Sequence, residues 1–353
     1  TAQIAAEAAQ LLGLAGSAPA AARTAASKQR FRQRAAAAGL RQPRHAVLPT
    51  SASAGDIAAA MAAAGVTYPV VLKPLHLSAS RGVMRADDPA QLAGRWRRLC
   101  AVLGDPEVIA RDPDAARYIL IETFISGREL AFEGVLERGT LLPLALFDKP
   151  DPLDGPFFAE TIYVAPSAQP APVQRAIVAG VAAAAAAMGL DHGPVHAELR
   201  LAATAPGHPL AVEPVILEVA ARGIGGLCGR IFGLATGIAL EELLLAQAAG
   251  RDIAALAERV STGMSGRAAA GVHMLPVPRA GVVRAITGQN RAAALEHIRE
   301  LAIAVRVGEE VVPLPEGNRY MGFVFATAPR AQDVVAALRR AGQTVAFEIA
   351  PLL

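Results

Sequence analysis

Cysteine is nearly absent: Cys100 and Cys228 are the only two in 353 residues. So few thiols build neither a disulfide framework nor a spaced thiolate metal site. Cys228 follows a glycine cluster and reads either as a small buried hydrophobe or as a neighbour of a site. Charge is also scarce. Charged residues make up 18 % and apolar ones 53 %, which excludes a disordered chain. Net charge is +3 and the arginines are scattered, so no basic stripe points to nucleic acid. Long apolar runs are lacking too. Ile177–Leu190 is short and mostly alanine, which predicts a buried helix rather than a membrane span, and Ile231–Ala249 is interrupted by Glu241 and Glu242. No charged-then-apolar leader opens the sequence. The expectation is a soluble cytoplasmic protein with no nucleic-acid or membrane partner. His45, His76, His192, His208, His273 and His297 show no ligand spacing, and no Gly-Lys-Ser/Thr marks a P-loop. Alanine accounts for most of the mean hydropathy of +0.35.

What remains is a chain long enough for two or three lobes with real cores. Its patterning predicts helices over 2–15 and 25–39, the second capped by Ser27 and closed by Gly39. A third helix is predicted over Asp56–Ala64, and a valine-rich strand over Tyr68–Pro74 with Lys73 near its end. A small-residue loop follows, Ser78–Ala79–Ser80–Arg81–Gly82–Val83, then a helix over Pro89–Leu103. Strands are predicted at Tyr118–Phe124, Arg128–Leu136, Thr140–Phe147 and Phe157–Val164, with a helix over Pro172–Met188. Two apolar strands, His196–Leu201 and Val215–Val219, form a hairpin, and a helix is expected over Ile238–Gly250. Residues 251–271 read as a loosely patterned connection. Beyond Val272, short strands alternate with helices at Arg291–Leu301 and Ala331–Ala341. No internal repeat is present.

The chemistry concentrates in the hairpin. Glu198 and Glu218 lie on its two strands, with Arg222 and then Gly223, Gly225 and Gly226 just beyond. Paired carboxylates suit magnesium, which binds through one or two carboxylates plus substrate phosphates. The arginine fork suits phosphate or carboxylate. A surface hairpin with solvated acids has the same local pattern. Lys73 can meet a phosphate as a point charge while the Ser/Gly loop offers backbone N–H groups, although strand-edge lysines are often only solvated. The stretch Ile119–Glu129 leaves a strand and turns at Gly127. Such a hinge can offer backbone groups to an adenine edge and Glu129 to ribose, or it is a plain turn with two exposed acids. His196 precedes Glu198 by two residues and so shares its face of the strand; it reads as a substrate contact, a support for the metal site or a satisfied core histidine.

The ordered set Lys28, Lys73 with its loop, the Glu122 hinge with Gly127–Glu129, then Glu198, Glu218 and Arg222, resembles the ATP-grasp superfamily over about residues 24–250. Within it, Asp148–Lys149–Pro150, Gly155–Glu160, Gly193–Glu198 and Glu218–Arg222 look most like L-amino-acid ligases and carnosine-synthase-like enzymes. The resemblance implies an α+β ATP-grasp fold, two subdomains clasping ATP, with a C-terminal α+β lobe. The implied divisions are a helical segment and linker at 1–66, a lid at 67–120, a catalytic subdomain at 121–260 and the C-terminal lobe at 261–353. It also implies an ATP-dependent carboxylate–amine ligase that uses Mg2+ or Mn2+ and forms an amide through an acyl phosphate.

By position, the resemblance gives Lys28 and Lys73 to the phosphates and Ser78, Ser80 and Gly82 to a mobile loop. Glu122 and the backbone near Ile125 go to adenine, Glu129 to ribose and Lys149 to phosphate. Glu198 and Glu218 would hold metal, Arg222 would steady the acyl phosphate, and Glu160, with Tyr163 and His196, would face the substrate. Three departures stand out. Ala220 replaces a common asparagine, Tyr163 replaces a histidine common in dipeptide ligases, and the sequence begins only a helix or two before Lys28. The expectation is therefore that the N-terminal α/β domain of such enzymes is absent or supplied by a partner, and a homodimer is the other implied assembly. Biotin-carboxylase or carbamoyl-phosphate chemistry, and a non-catalytic ATP-binding module, are the alternatives.

Overall fold

The computed structural model describes residues 2–266 and 268–352. Three helices lead in, α1 (Ala2–Leu12), α2 (Pro19–Ala25) and α3 (Lys28–Ala37). The Ser27 hydroxyl accepts from the Arg30 N–H and so starts α3 where the sequence predicts, placing Lys28 at its first residue. A small lobe follows: β1 (His45–Pro49), α4 (Ala54–Ala64), β2 (Val70–Pro74), β3 (Met84–Ala86), α5 (Pro89–Leu103), α6 (Pro106–Arg111) and β4 (Tyr118–Thr123). Its antiparallel sheet has the order β1-β4-β2-β3. Ile57, Met61, Trp96, Leu99 and Ile121 fill the core beneath it.

The central sheet is larger. Its elements are β5 (Arg128–Glu137), β6 (Thr140–Asp148), β7 (Ile162–Ala165), α7 (Ala171–Met188), β8 (Gly193–Ala203), β9 (Val212–Ala220), α8 (Gly229–Thr236), α9 (Leu240–Ala248), α10 (Ala254–Gly266) and β10 (Ala269–Pro276). The closing lobe adds β11 (Gly281–Thr287), α11 (Gln289–Ala293), β12 (Ile298–Ile303), β13 (Glu310–Val311), β14 (Tyr320–Ala328), α12 (Ala331–Thr344) and β15 (Ala346–Ala350). Eight strands join in the order β12-β14-β10-β7-β6-β5-β8-β9, all antiparallel, and β13-β11-β15 make a third sheet.

Strand β5 shows how the sequence positions this sheet. Successive side chains point to opposite faces. Leu130, Phe132 and Leu136 enter the core under α7, while Ala131 and Val135 enter the core formed with α8, α9 and α10. Helix α7 buries Val173, Ile177, Val181, Ala184, Ala185 and Met188, a stripe at three- and four-residue steps. Fully burying each Val or Ile contributes about 1.5–3 kcal/mol. By length and composition α7 could cross a membrane; in the fold it packs against β9.

Several sequence expectations give way to tertiary contacts. The predicted strand over Phe157–Val164 shrinks to β7, because Phe157 bridges to Met84 and Phe158 joins Val71 and Leu153 in a small cluster. The helix expected over Ile238–Gly250 is preceded by a separate helix α8, which Gly237 ends at a left-handed φ of 75°, and α9 runs only from Leu240 to Ala248. The connection expected over 251–271 contains α10. The helix expected over Arg291–Leu301 is five residues of α11 followed by β12, whose pairing with β14 overrides local helix preference. Helix α2 was not foreseen. The expected domain limits also move. A boundary at 66/67 cuts the sheet that pairs β1 with β4, one at 120/121 falls inside β4, and one at 260/261 severs β10 and β14 from the central sheet they complete.

Candidate active site

The hairpin of β8 and β9 sets the first pair of charges. Glu198 and Glu218 are cross-strand partners, and a register shift follows immediately. From the start of α3, Lys28 reaches Glu218 at 3.1 Å and donates to the Leu77 carbonyl at 3.0 Å. Burial pushes the Glu218 carboxyl up, but Lys28, Lys73 and Arg222 outweigh burial and hold it below the ordinary value. Arg222 is exposed, and its only hydrogen bond among the described residues runs from its guanidinium to the Gly223 carbonyl at 2.9 Å.

Across the cleft, Lys73 on β2 pairs with Glu122 at 2.7 Å, and Arg32 pairs with the other Glu122 oxygen at 2.5 Å. Arg32 also donates to the carbonyls of Ile216 and Leu217 on β9. One buried carboxylate therefore ties α3, the small lobe and the central sheet together. Burial pushes Glu122 up, yet the two cations win and bring it from 4.5 to about 2.

The loop after Lys73 is shaped by backbone. Ala79 and Ser80 both sit at φ 55°, and Gly82 at φ 76°. The loop is pinned from outside: the Gly82 N–H donates to the Pro315 carbonyl at 2.8 Å, Arg81 to the Glu316 carbonyl at 2.7 Å, and Arg98 grips the Glu316 carboxylate at 2.5 and 2.9 Å. Ser78 and Ser80 thereby face a cavity of about 470 Å3.

That cavity gathers most of the residues the sequence singled out. Lys28, Lys73, Ser78, Ser80, Glu160, Tyr163, His196, Glu198, Glu218 and Arg222 all line it, with Glu122, Ile125 and Glu129. Gly82, in the same loop, does not line it. Val71, Val83, Phe124 and Phe158 give it apolar walls, and Cys228, Met274 and Tyr320 close the far end. Gly226 makes that end possible: it sits at φ 61°, and a Cβ there would come within 2.5 Å of the Met274 sulfur.

Two role expectations do not survive the geometry, those of Glu122 and Lys149. The Glu122 carboxylate is 1 % exposed and committed to Arg32 and Lys73, so it is a clamp on Lys73 rather than an adenine contact. Ile125 and Glu129 line the cavity; the Ile125 carbonyl accepts from Arg200 at 3.0 Å, and Glu129 pairs with Lys149 at 2.8 Å and Arg200 at 2.9 Å. Lys149 is buried behind the cavity wall, with its ammonium 2.8 Å from Glu129, 2.8 Å from Glu160 and 3.7 Å from Glu198, so it cannot serve as a phosphate contact. Burial alone would lower Lys149; the surrounding carboxylates raise it well above the ordinary lysine value.

This ammonium also bears on where a cation fits. Glu129, Glu160 and Glu198 each present an oxygen within 4.8 Å of the others. Lys149 already supplies the positive charge there. The donor set left for a hard divalent ion is Glu198 with Glu218, cross-strand carboxylates whose oxygens would suit magnesium.

Other residues were missed by sequence reasoning. Arg32, Arg200, Met274 and Tyr320 were not singled out, nor was Glu133, which faces His196 across β5 and β8. Arg200 stacks over Phe124 at 4.7 Å and donates to the Leu153 carbonyl. Tyr163 donates to Glu160 at 2.5 Å. Charged residues inside otherwise apolar strands were the available signal for Glu133 and Arg200.

Similarity to known proteins bears on the fold. The ATP-grasp domain family matches residues 66–230, and L-amino acid ligase C-terminal domain 2 matches residues 273–350. The fold superposes on an L-amino acid ligase from Bacillus licheniformis with a TM-score of 0.79 and 27 % identity, covering 99 % of this chain and 79 % of that one. An uncharacterized protein of Sinorhizobium fredii is 27 % identical over 92 % of this chain and 61 % of its own length. Alanine–anticapsin ligase of Bacillus subtilis is 26 % identical over 62 % of this chain and 46 % of its own length. The chain thus spans roughly half to three-fifths of the length of these two curated relatives. It has the ATP-grasp fold. Within that superfamily it resembles the L-amino acid ligases, both in the central fold and in the closing lobe.

Proposed function

We propose that the chain catalyses ATP-dependent ligation of a carboxylate to an amine, through an acyl phosphate, with release of ADP and phosphate. The observation that carries this reading is a single cavity that brings Lys28 and Lys73 from one side to Glu198, Glu218 and Arg222 on the other. Its volume, about 470 Å3, lies within the usual range of about 300–1,000 Å3 for small-molecule sites. A carboxylate and an amine do not condense in water without activation. Transfer of a phosphoryl group to the carboxylate creates a leaving group, and catalysis of such a transfer is mostly positioning and charge neutralisation.

Each chain element has a part in this scheme. Lys28 and Lys73 hold the phosphates, while the Ser78–Ser80 backbone covers them. Val71, Val83, Phe124 and Phe158 form the apolar slot for the base. Glu198 and Glu218 would hold magnesium, which when bound neutralises charge on the transferring oxygens. Arg222 steadies the carboxylate as it gains the phosphoryl group and the oxyanion that forms when the amine attacks. Glu160, with Tyr163 donating to it, takes an ammonium group of the substrate. The loop pinned to Glu316 keeps water from the acyl phosphate. A reaction that draws on ATP in this way fits a cytoplasmic setting.

The test is ADP and phosphate release from the full protein with ATP, magnesium and a broad panel of amino-acid pairs. Turnover with at least one pair is expected. Glu218→Gln should lower that turnover roughly 10²–10³-fold by removing an anionic ligand. No ADP with any pair, or a Glu218→Gln variant that turns over normally, would contradict the reading.

A further inference from the structure

Glu133 is the most deeply buried carboxylate in this region, with no exposed surface, and neither of its oxygens has a hydrogen-bond partner among the described residues. Buried polar groups in folded proteins are nearly always satisfied, so an orphaned carboxylate marks a place with a task. Alternation along β5 puts Glu133 on the same face as Ala131 and Val135. There it lies beneath Gly223, where a Cβ would lie 3.4 Å from a Glu133 oxygen.

Glu133 faces one side chain in particular. His196 is its cross-strand partner on β8, with Nδ1 3.4 Å from a Glu133 oxygen. That nitrogen also lacks a hydrogen bond. The opposite ring nitrogen, Nε2, lies 3.8 Å from Glu198. The ring therefore stands between a carboxylate sealed in the core and a carboxylate that lines the cavity. Of the three, His196 and Glu198 line the cavity and Glu133 does not. Burial pushes His196 down, but the carboxylates on its two sides outweigh burial and raise it to about 9.

We propose that Glu133 is a positioning residue: it fixes the ring of His196 so that Nε2 is presented to Glu198 and to the reacting end of the cavity. This rests on the ligase reading for its consequence, though not for its geometry. An imidazole ring held at one nitrogen by a buried carboxylate keeps one orientation at the other. Glu133→Gln keeps the size of the side chain and replaces an acceptor-only group with an amide that also donates. It should reorient the ring while leaving the phosphate-binding lysines untouched.

Two measurements decide the matter. The first is the ¹⁵N spectrum of the His196 ring, assigned with a His196→Gln variant. The ring nitrogen shifts should change clearly in Glu133→Gln and stay close to wild type in Glu133→Asp, which retains a carboxylate. The second is steady-state turnover. Glu133→Gln should lower kcat roughly 10–100-fold, the usual range for groups that support a site residue, with the KM for ATP little changed. In a His196→Gln background the same substitution should add almost nothing, because both act through one ring. Unchanged ring shifts in Glu133→Gln, or losses that multiply in the double variant, would overturn the assignment. If Glu133→Gln fails to fold, Glu133→Asp decides by its ring shifts: a wild-type pattern supports the assignment and an altered one, with the carboxylate still present, refutes it. A protein that releases no ADP with any substrate pair defeats the ligase reading, whereas the ring spectrum still judges the role of Glu133.

Discussion

Replacing Glu122 with glutamine tests the clamp at the centre of the site. The carboxylate is 1 % exposed and pairs with Arg32 at 2.5 Å and Lys73 at 2.7 Å. Its pKa falls from 4.5 to about 2 on folding. That difference corresponds to about 3 kcal/mol. The sign follows from the direction. A carboxylate with a depressed folded value stabilises the protein fully above 4.5, and that contribution disappears as pH falls from 4.5 toward 2. At pH 7, Glu122→Gln leaves a buried guanidinium and a half-buried ammonium facing a neutral amide, a loss of about 3–5 kcal/mol. Denaturant unfolding of both proteins at pH 7, 4.5 and 3 measures it. The gap between them should be largest at pH 7 and should narrow as the pH falls. A gap below about 1 kcal/mol at pH 7, or one that persists unchanged at pH 3, would refute the clamp. Direct adenine recognition by this carboxylate requires the opposite pattern, with ATP affinity lost and stability kept.

Two further outcomes follow from the same cleft. Lys73→Ala should weaken ATP binding by roughly tenfold or more, because a charge-assisted contact is worth about 1.5–3 kcal/mol; titration calorimetry showing unchanged affinity would make Lys73 merely the partner of Glu122. Glu316→Gln should loosen the Ser78–Gly82 loop. The Arg98–Glu316 pair is partly exposed and contributes about 0.2–1 kcal/mol, so amide exchange across the loop should rise roughly two- to fivefold. Exchange identical to wild type would mean that the backbone bonds to Pro315 and Glu316 alone hold the loop.

Local signals in the sequence were well matched by local structure. Ser27 caps α3, Asp88 caps α5, and the apolar stripe of α7 lies against the sheet. The facing of Glu198 and Glu218 was also legible, since two apolar strands joined by a turn pair across it. Segments without a clear period went astray. Residues 254–266 are helical although their pattern is loose, because Ala257, Val260 and Met264 close the core beside Phe232. Residues 298–303 are a strand because β14 offers them an edge.

Partners of charged groups were the part that sequence could not assign. Arg32 and Glu122 are 90 positions apart, and Arg200 and Glu129 are 71 apart. Which of several acids a buried cation pairs with depends on distances of a few ångströms in a medium of low polarity, where Coulomb energies change steeply. The same holds for Tyr320 and Met274, which reach the cavity only because β10 and β14 extend the central sheet. Periodicity and caps determined individual helices and strands, since these act between near neighbours, and the order of charged residues along the chain carried the ATP-grasp resemblance. Packing alone decided that Glu122 would pair with Arg32 and Lys73, and Lys149 with Glu129 and Glu160, because a buried charge takes whichever counter-charge the folded chain brings within reach.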